Sequence, residues 1–510
     1  MLCFAVYSAG KPASEVDLAG AYLIGTDDVP LRADIAFKGG IITCQKRAPG
    51  PAGLALLWPV DGVGSVLLET VRVPERKRPY VLQVELARGR LMRLHQKIED
   101  WGLLEYDEAR PLLEQVAAGR NLLIQALQAD DPAAAARFGE QALVCAVQAG
   151  EQLSRFHAGV LFARRKPTLA TAKRTFGCRV GLGQPNEVYV ERLRSAFDTA
   201  TLPIVWRDIE PNEQSFNWKP TDTWVELLAR QRVPMRGASL LSFQEANVPD
   251  WLYIWEHDFD TIRDLAFEHA RRVLARYGQH VQMWDVISGI HADNCFTFNF
   301  EQLMELTRMA AALAKKAAPQ CTAIVDLIAP WGEYYARNPR TIPPLLYADM
   351  VVQSGVNFDA FGLQFFFGPG VDGMFVRDMF QVSTMLDQFA KLGKPLYITA
   401  VQVPSGSVGA AEATGAGGTG RAAGGVWHVP WNEEVQAEWV QRFLEIALSK
   451  PFVEGVSWQA LSDADRGRMP NGGLLRADLA PKRAYEAFLR TRTELRTRPR
   501  RPAEETSSPA

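Results

Sequence analysis

The sequence predicts an α/β chain whose larger part is a (β/α)8 barrel, preceded by a small β-rich domain and a helical hairpin. Three observations carry this reading. From Phe176 to about Leu495, a strand, a loop and an amphipathic helix recur eight times. Before Leu91, short apolar runs alternate with turn residues, and between Leu91 and Arg165 the apolar spacing becomes helical. At 510 residues the chain is also too long for one ordinary core.

The β-rich domain is assigned to residues 1–90. Leu54–Val60 and Ser65–Val73 are apolar runs punctuated by Pro49-Gly50-Pro51 and Asp61-Gly62, as in an antiparallel sheet. Tyr80–Ala87 continues the alternation and reads as a further strand. The hairpin is assigned to residues 91–165. Leu112, Leu113, Val116 and Ala117 share one helical face, and Asp131-Pro132 supplies an N-cap followed by proline at the first helical position. Such a pair of helices serves either as a packing bridge or as a protein-binding module.

The barrel is assigned to residues 170–495. Its strands are expected to begin near Phe176, Leu202, Met235, Val281, Thr322, Ala360, Pro395 and Gly455. Ile262, Leu265, Ala266, His269, Val273 and Leu274 form one stripe of an intervening helix. Ser405–Gly425 is rich in glycine and alanine and reads as a flexible loop. Its Gly415–Gly420 segment matches G-x-G-x-x-G only formally, lacking the strand before and the helix after that a dinucleotide site needs. Residues 496–510 read as a disordered polar tail.

Net charge is −2, so no basic field favours nucleic acid. No apolar run reaches membrane-spanning length. The N-terminus lacks a basic, then long apolar leader, so a cytoplasmic location is expected. Six scattered cysteines read as reduced, and the histidine spacings point to no metal site; no cofactor is expected.

The barrel resembles glycoside hydrolase family 10, the xylanase family, on motifs in barrel order. They are Ile209-Glu210-Pro211 with Phe216, Arg236-Gly237, Val248-Pro249-Asp250-Trp251-Leu252, Trp284-Asp285-Val286, Gly362-Leu363-Gln364, Lys394–Thr399, Val456-Ser457-Trp458, and Pro481–Tyr485. The resemblance implies an acid/base glutamate where this chain has Gly289, after Ser288 in place of asparagine. It implies a nucleophilic glutamate where Ala400 stands, followed by Gln402 in place of aspartate. Leu202, Val205, Ala238, Phe243 and Phe366 likewise replace polar sugar contacts, while Gln364 and Trp458 are retained. A retaining glycosidase needs two carboxyl groups about 5–5.5 Å apart. Glycine and alanine supply neither.

Other groups near strand ends remain candidates. Trp331 and Glu333 read either as a sugar-stacking indole beside a carboxylate, or as a loop-packing indole and a helix-start glutamate. His291 and Asp293 read as a base and its orienter, or as surface groups. The expected function is a catalytically inactive, family-10-like protein that binds carbohydrate or acts as a scaffold. One alternative is an active hydrolase using relocated carboxylates, Glu333 and Asp293. The other is a protein-interaction component acting through the helical hairpin. Expected ligand contacts are Gln364, Trp458, Trp331, Gln402, Phe243, Phe366, Ser288 and His291.

Overall fold

The computed structural model describes residues 1–164, 175–407, 423–465, 467 and 469–496. The Gly415–Gly420 match, most of the 405–425 loop and the tail beyond Arg496 lie outside the described residues.

Eight parallel strands close into a barrel: Thr175–Arg179, Thr199–Pro203, Met235–Leu241, Met283–Ser288, Thr322–Leu327, Ala360–Phe366, Leu396–Gln402 and Val453–Trp458. The first pairs with the eighth through Thr175–Gly455 to Cys178–Trp458, which removes any sheet edge. Helices such as Phe259–Tyr277, Phe300–Ala317 and Glu433–Ser449 cover the outside. Each turns its apolar stripe inward, and caps such as Asn299 with Gln302 set where it starts. Gly237 on the third strand leaves room for the Trp284 ring of the fourth, since a Cβ there would overlap it.

The N-terminal region folds as two larger antiparallel-rich sheets and a two-stranded ribbon of Tyr7–Ser8 with Lys11–Pro12. One has the order Tyr80–Val81, Leu2–Ala5, Ile41–Lys46, Ala33–Lys38. The other has the order Val426–Trp427, Gly64–Glu69, Gly53–Val60, Tyr22–Ile24, Pro30–Leu31. Its edge strand, Val426–Trp427, comes from the segment after the seventh barrel strand. That segment, just beyond the Ser405–Gly425 loop read from sequence, thus adds a strand to the first domain.

The expected strand at Tyr80–Ala87 ends at Val81, and Leu82–Asp100 is a helix. Leu82, Leu86, Leu94 and Ile98 are buried along one side of it, so the local alternation was the weaker of two overlapping periods. The region therefore holds three helices rather than two: Leu82–Asp100, Arg110–Gln128 and Pro132–Arg164. Asp131 caps the third by accepting from the Ala133 and Ala134 amides. Gly139 lets this helix approach the start of the first, where a Cβ would lie 2.8 Å from the Val84 nitrogen. One apolar core runs from the N-terminal sheets through the barrel.

Candidate functional site

The C-terminal ends of barrel strands are where this architecture places ligands. Here the centre of that face is closed by its own side chains. Gly289 follows the fourth strand with φ 68°, in the left-handed region that favours glycine. A Cβ at this position would lie 2.9 Å from both Gln244 Nε2 and Ile328 Cδ1. A side chain here would require the ends of Gln244 and Ile328 to shift as well as straining the backbone. Ala400, in the seventh strand, is 4% exposed.

Below these positions lies a buried polar cluster that the sequence reading did not single out. Asp326 of the fifth strand sits in register with Ser288, whose hydroxyl donates to its carboxylate. Gln364 Nε2 and Thr399 Oγ1 donate to the same carboxylate. Arg236 donates to the Thr399 carbonyl and lies 3.6 Å from Asp285. Burial, countered in part by Arg236 and reinforced by Asp326, pushes the Asp285 carboxyl up to about 7. Asp285 and Asp326 are each 1% exposed, so neither reaches a substrate in this arrangement. The signal for the cluster was present in the sequence: a carboxylate within an apolar strand such as Thr322–Leu327 requires buried partners.

Ser288 and Gln364 thus meet, as members of this cluster rather than as a ligand cradle. Trp458 is 1% exposed and donates its indole N–H to the Gly472 carbonyl at 2.9 Å. Gln402 is fully buried beneath the same loop, with Gly472 directly against its amide. Lys482 holds the loop down, bonding the Asp463 carboxylate at 2.7 Å and the Asn471 carbonyl at 3.2 Å. An indole covered in this way offers no face to a sugar.

The aromatic tips also differ from a ligand lining. Phe243 is fully buried and packs edge-on against Phe298 at 5.2 Å. Phe366 is 4% exposed. Phe365 and Phe367 pack outward against Phe443 and Trp439 of the helix Glu433–Ser449. Alternation along a strand decides this, since neighbours point to opposite faces.

The remaining candidates part company. His291 is 1% exposed, stacks on Tyr347 at 5.2 Å and bonds the Ile328 carbonyl through Nε2. Burial, countered by that bond, pulls its pKa down to about 4. Its Nδ1 has no hydrogen-bond partner among the described residues, so the expected base–orienter pairing with the exposed Asp293 is not formed. Glu333 is 1% exposed; it accepts from the Gly373 amide at 3.0 Å and lies 3.5 Å from the fully buried Arg377. Arg377 in turn reaches the Tyr22 hydroxyl and the Leu67 carbonyl of the N-terminal sheet. Glu333 therefore joins two parts of the chain, and its burial keeps it from solvent. Trp331 is half-buried against Phe365, Phe367 and the Arg377 guanidinium.

Beside the closed centre, a recess of about 880 Å³ opens at the ends of the first two strands and the loop after the eighth. Arg179, Val205, Asp208, Asn217 and Asp465 are among its lining residues. Asp465 accepts from the Tyr189 hydroxyl and the Ser462 amide, and burial raises its pKa. No helix among the described residues is long and apolar enough to cross a membrane.

Residues 168–491 match the family model described as Glycosyl hydrolase family 10. Endo-1,4-beta-xylanase B of Thermotoga neapolitana is 23% identical over 289 residues, covering 54% of this chain and 73% of that protein. Endo-1,4-beta-xylanase 1 of Gibberella zeae is 24% identical over 136 residues, covering 25% of this chain and 38% of its own. Native xylanase 10B from Thermotoga maritima aligns at 18% identity with a TM-score of 0.49, across 64% of this chain and 97% of that one.

Proposed function

The chain belongs to glycosyl hydrolase family 10, and on that footing we propose that it is a carbohydrate-binding or scaffold protein without the family's hydrolytic chemistry. The observation that carries this is the closed mouth. Gly289 has no side chain, its Cβ space is filled by Gln244 and Ile328, and Ala400 opposite is apolar. With no proton donor and no nucleophile at these positions, neither half of a double displacement has its carboxyl group. The other carboxylates near the centre, Asp285, Asp326 and Glu333, are engaged with buried partners.

Binding does not require those glutamates. The recess beside the mouth combines carboxylates, an amide and a guanidinium with apolar wall, the mixture a saccharide's hydroxyls and C–H faces need. A scaffold role also fits the helix Arg110–Gln128, whose Ile124 and Leu127 are 44% and 58% exposed and offer a protein partner an apolar pair.

The test pairs hydrolysis with binding on one preparation of the full chain. Aryl β-xyloside and β-xylan should give no turnover above the buffer blank, while a glycan array should show retention of at least one oligosaccharide class. Turnover that follows the protein through purification and is lost in Asp208→Asn would overturn the proposal.

A further inference from the structure

A second concavity, of about 590 Å³, lies away from the mouth at the seam between the N-terminal sheets and the barrel. Its size falls within the roughly 300–1,000 Å³ of small-molecule sites, which favour such junctions. One wall carries Tyr22, Asp27 and the Arg72–Arg93 pair; the other carries Trp331, Leu346 and Asp349.

The two guanidinium groups on this wall are held in place by carboxylates. Glu69 accepts from Arg72 Nη1 at 3.1 Å and from Arg93 Nη1 at 3.3 Å, and Arg93 Nη2 also bonds the Glu69 carbonyl. Arg72 meets Asp28 on its other side and donates to the Gly25 carbonyl at 3.1 Å. Two guanidinium groups thus face two carboxylates, so the lattice offers no net positive charge to an anionic ligand. Asp27 and Asp349 add acceptor oxygens at the rim, and both lie on the groove surface. Between them stand the indole of Trp331 and the side chain of Leu346, which is 48% exposed.

An aromatic wall flanked by acceptors suits a ligand with apolar ring faces and many hydroxyl donors, and the surplus of carboxylates over guanidinium groups disfavours an anionic one. We propose that the seam groove binds a short neutral oligosaccharide, with ring faces against Trp331 and Leu346 and hydroxyls donating to Asp27 and Asp349. This rests on the carbohydrate reading above and adds to it a site outside the barrel mouth, built jointly by the N-terminal region and the barrel.

Xylotetraose, cellotetraose, mannotetraose and the anionic tetragalacturonate are titrated calorimetrically into the full chain. At least one neutral probe should bind, and tetragalacturonate should bind at least tenfold more weakly. Leu346→Trp, which fills the groove from an exposed position, and Asp349→Asn should each weaken the neutral probe tenfold or more with melting temperature unchanged. Trp331→Ala should do so with some loss of stability from its packing. Asp107→Ala, at an exposed position outside both recesses, should leave this binding intact. Binding that survives Leu346→Trp and Asp349→Asn but is lost in Asp208→Ala, in the other recess, would overturn the seam site and leave the carbohydrate reading standing. If tetragalacturonate bound as tightly as the neutral probes, the neutral-ligand assignment would fall; no binding by any probe would remove both.

Discussion

At the barrel mouth, Ser288, Gln364 and Thr399 direct their hydrogen bonds to one buried carboxylate, Asp326. At the seam, Asp27, Asp349 and Trp331 stand around an open groove instead. Both places bring aromatic rings and carboxylates together, yet only one leaves them accessible. The difference follows from their supports. The mouth cluster hangs on adjacent strands in fixed register, where neighbours lie close enough to satisfy one another. The seam groups sit on turns and a short helix from separate parts of the chain, whose surfaces meet without filling the space between.

The joint beneath the seam is the first place to strain this comparison. Arg377 is fully buried, and its salt bridge to Glu333 and contact with Tyr22 tie the barrel to the N-terminal sheet. Replacing Glu333 by Gln leaves the guanidinium uncompensated, which typically costs about 3–5 kcal/mol. Urea denaturation of Glu333→Gln should show that loss, with the N-terminal region and barrel no longer unfolding together. An unchanged midpoint would mean the two parts are held by apolar contact alone.

A smaller effect is expected at the mouth. Gly289→Glu with Ala400→Glu restores both carboxyl groups on paper. The left-handed backbone and the contacts with Gln244 and Ile328 should instead cost about 1–3 kcal/mol, without measurable xylan hydrolysis. Activity in this double variant would show that the closure yields to a side chain and that only the two glutamates were missing.

The smallest effect concerns the strap that joins barrel to sheet. Glu151 accepts from Trp427 Nε1 at 2.8 Å and meets His428 Nε2 at 2.7 Å. Burial pulls the His428 imidazolium down, but Glu151 more than offsets this and leaves its pKa raised. Burial likewise opposes the Glu151 carboxylate, which His428 and Trp427 hold below its usual value. The His428 contribution is complete below its unfolded value, about 6.5, and fades as pH rises through the higher folded value. The Glu151 contribution is present above its unfolded value, about 4.3, and fades as pH falls through the lower folded one. Stability should therefore gain most between about pH 4.3 and 6.5. With His428 36% exposed, solvent screening limits the gain to under about 1 kcal/mol. His428→Gln should flatten the alkaline side of the melting-temperature profile; an unaltered profile would exclude the pair as its source.

Much of the barrel was legible because its signals are local. The eight strands begin within three residues of the positions read from periodicity and punctuation. The helix at Leu82–Asp100 was misread because Tyr80–Ala87 satisfies a short two-residue alternation and a longer helical spacing at once. Gly289 and Ala400 were singled out from the flanking motifs, but their surroundings were not legible. Nothing near Gly289 in sequence announces that Gln244 and Ile328 occupy its Cβ space. The run Phe365–Phe367 conceals in sequence which rings turn outward to the helix Glu433–Ser449.

The sequence by itself determined the barrel and its family motifs, because both depend on residue type and on spacing along a few turns or strands. Tertiary structure decided that the mouth is closed, that Glu333 pairs with Arg377, and that an open groove lies at the seam. Tyr22 and Arg377 are 355 residues apart. Contacts of that range depend on how whole sheets and helices dock, which no local pattern of residues encodes.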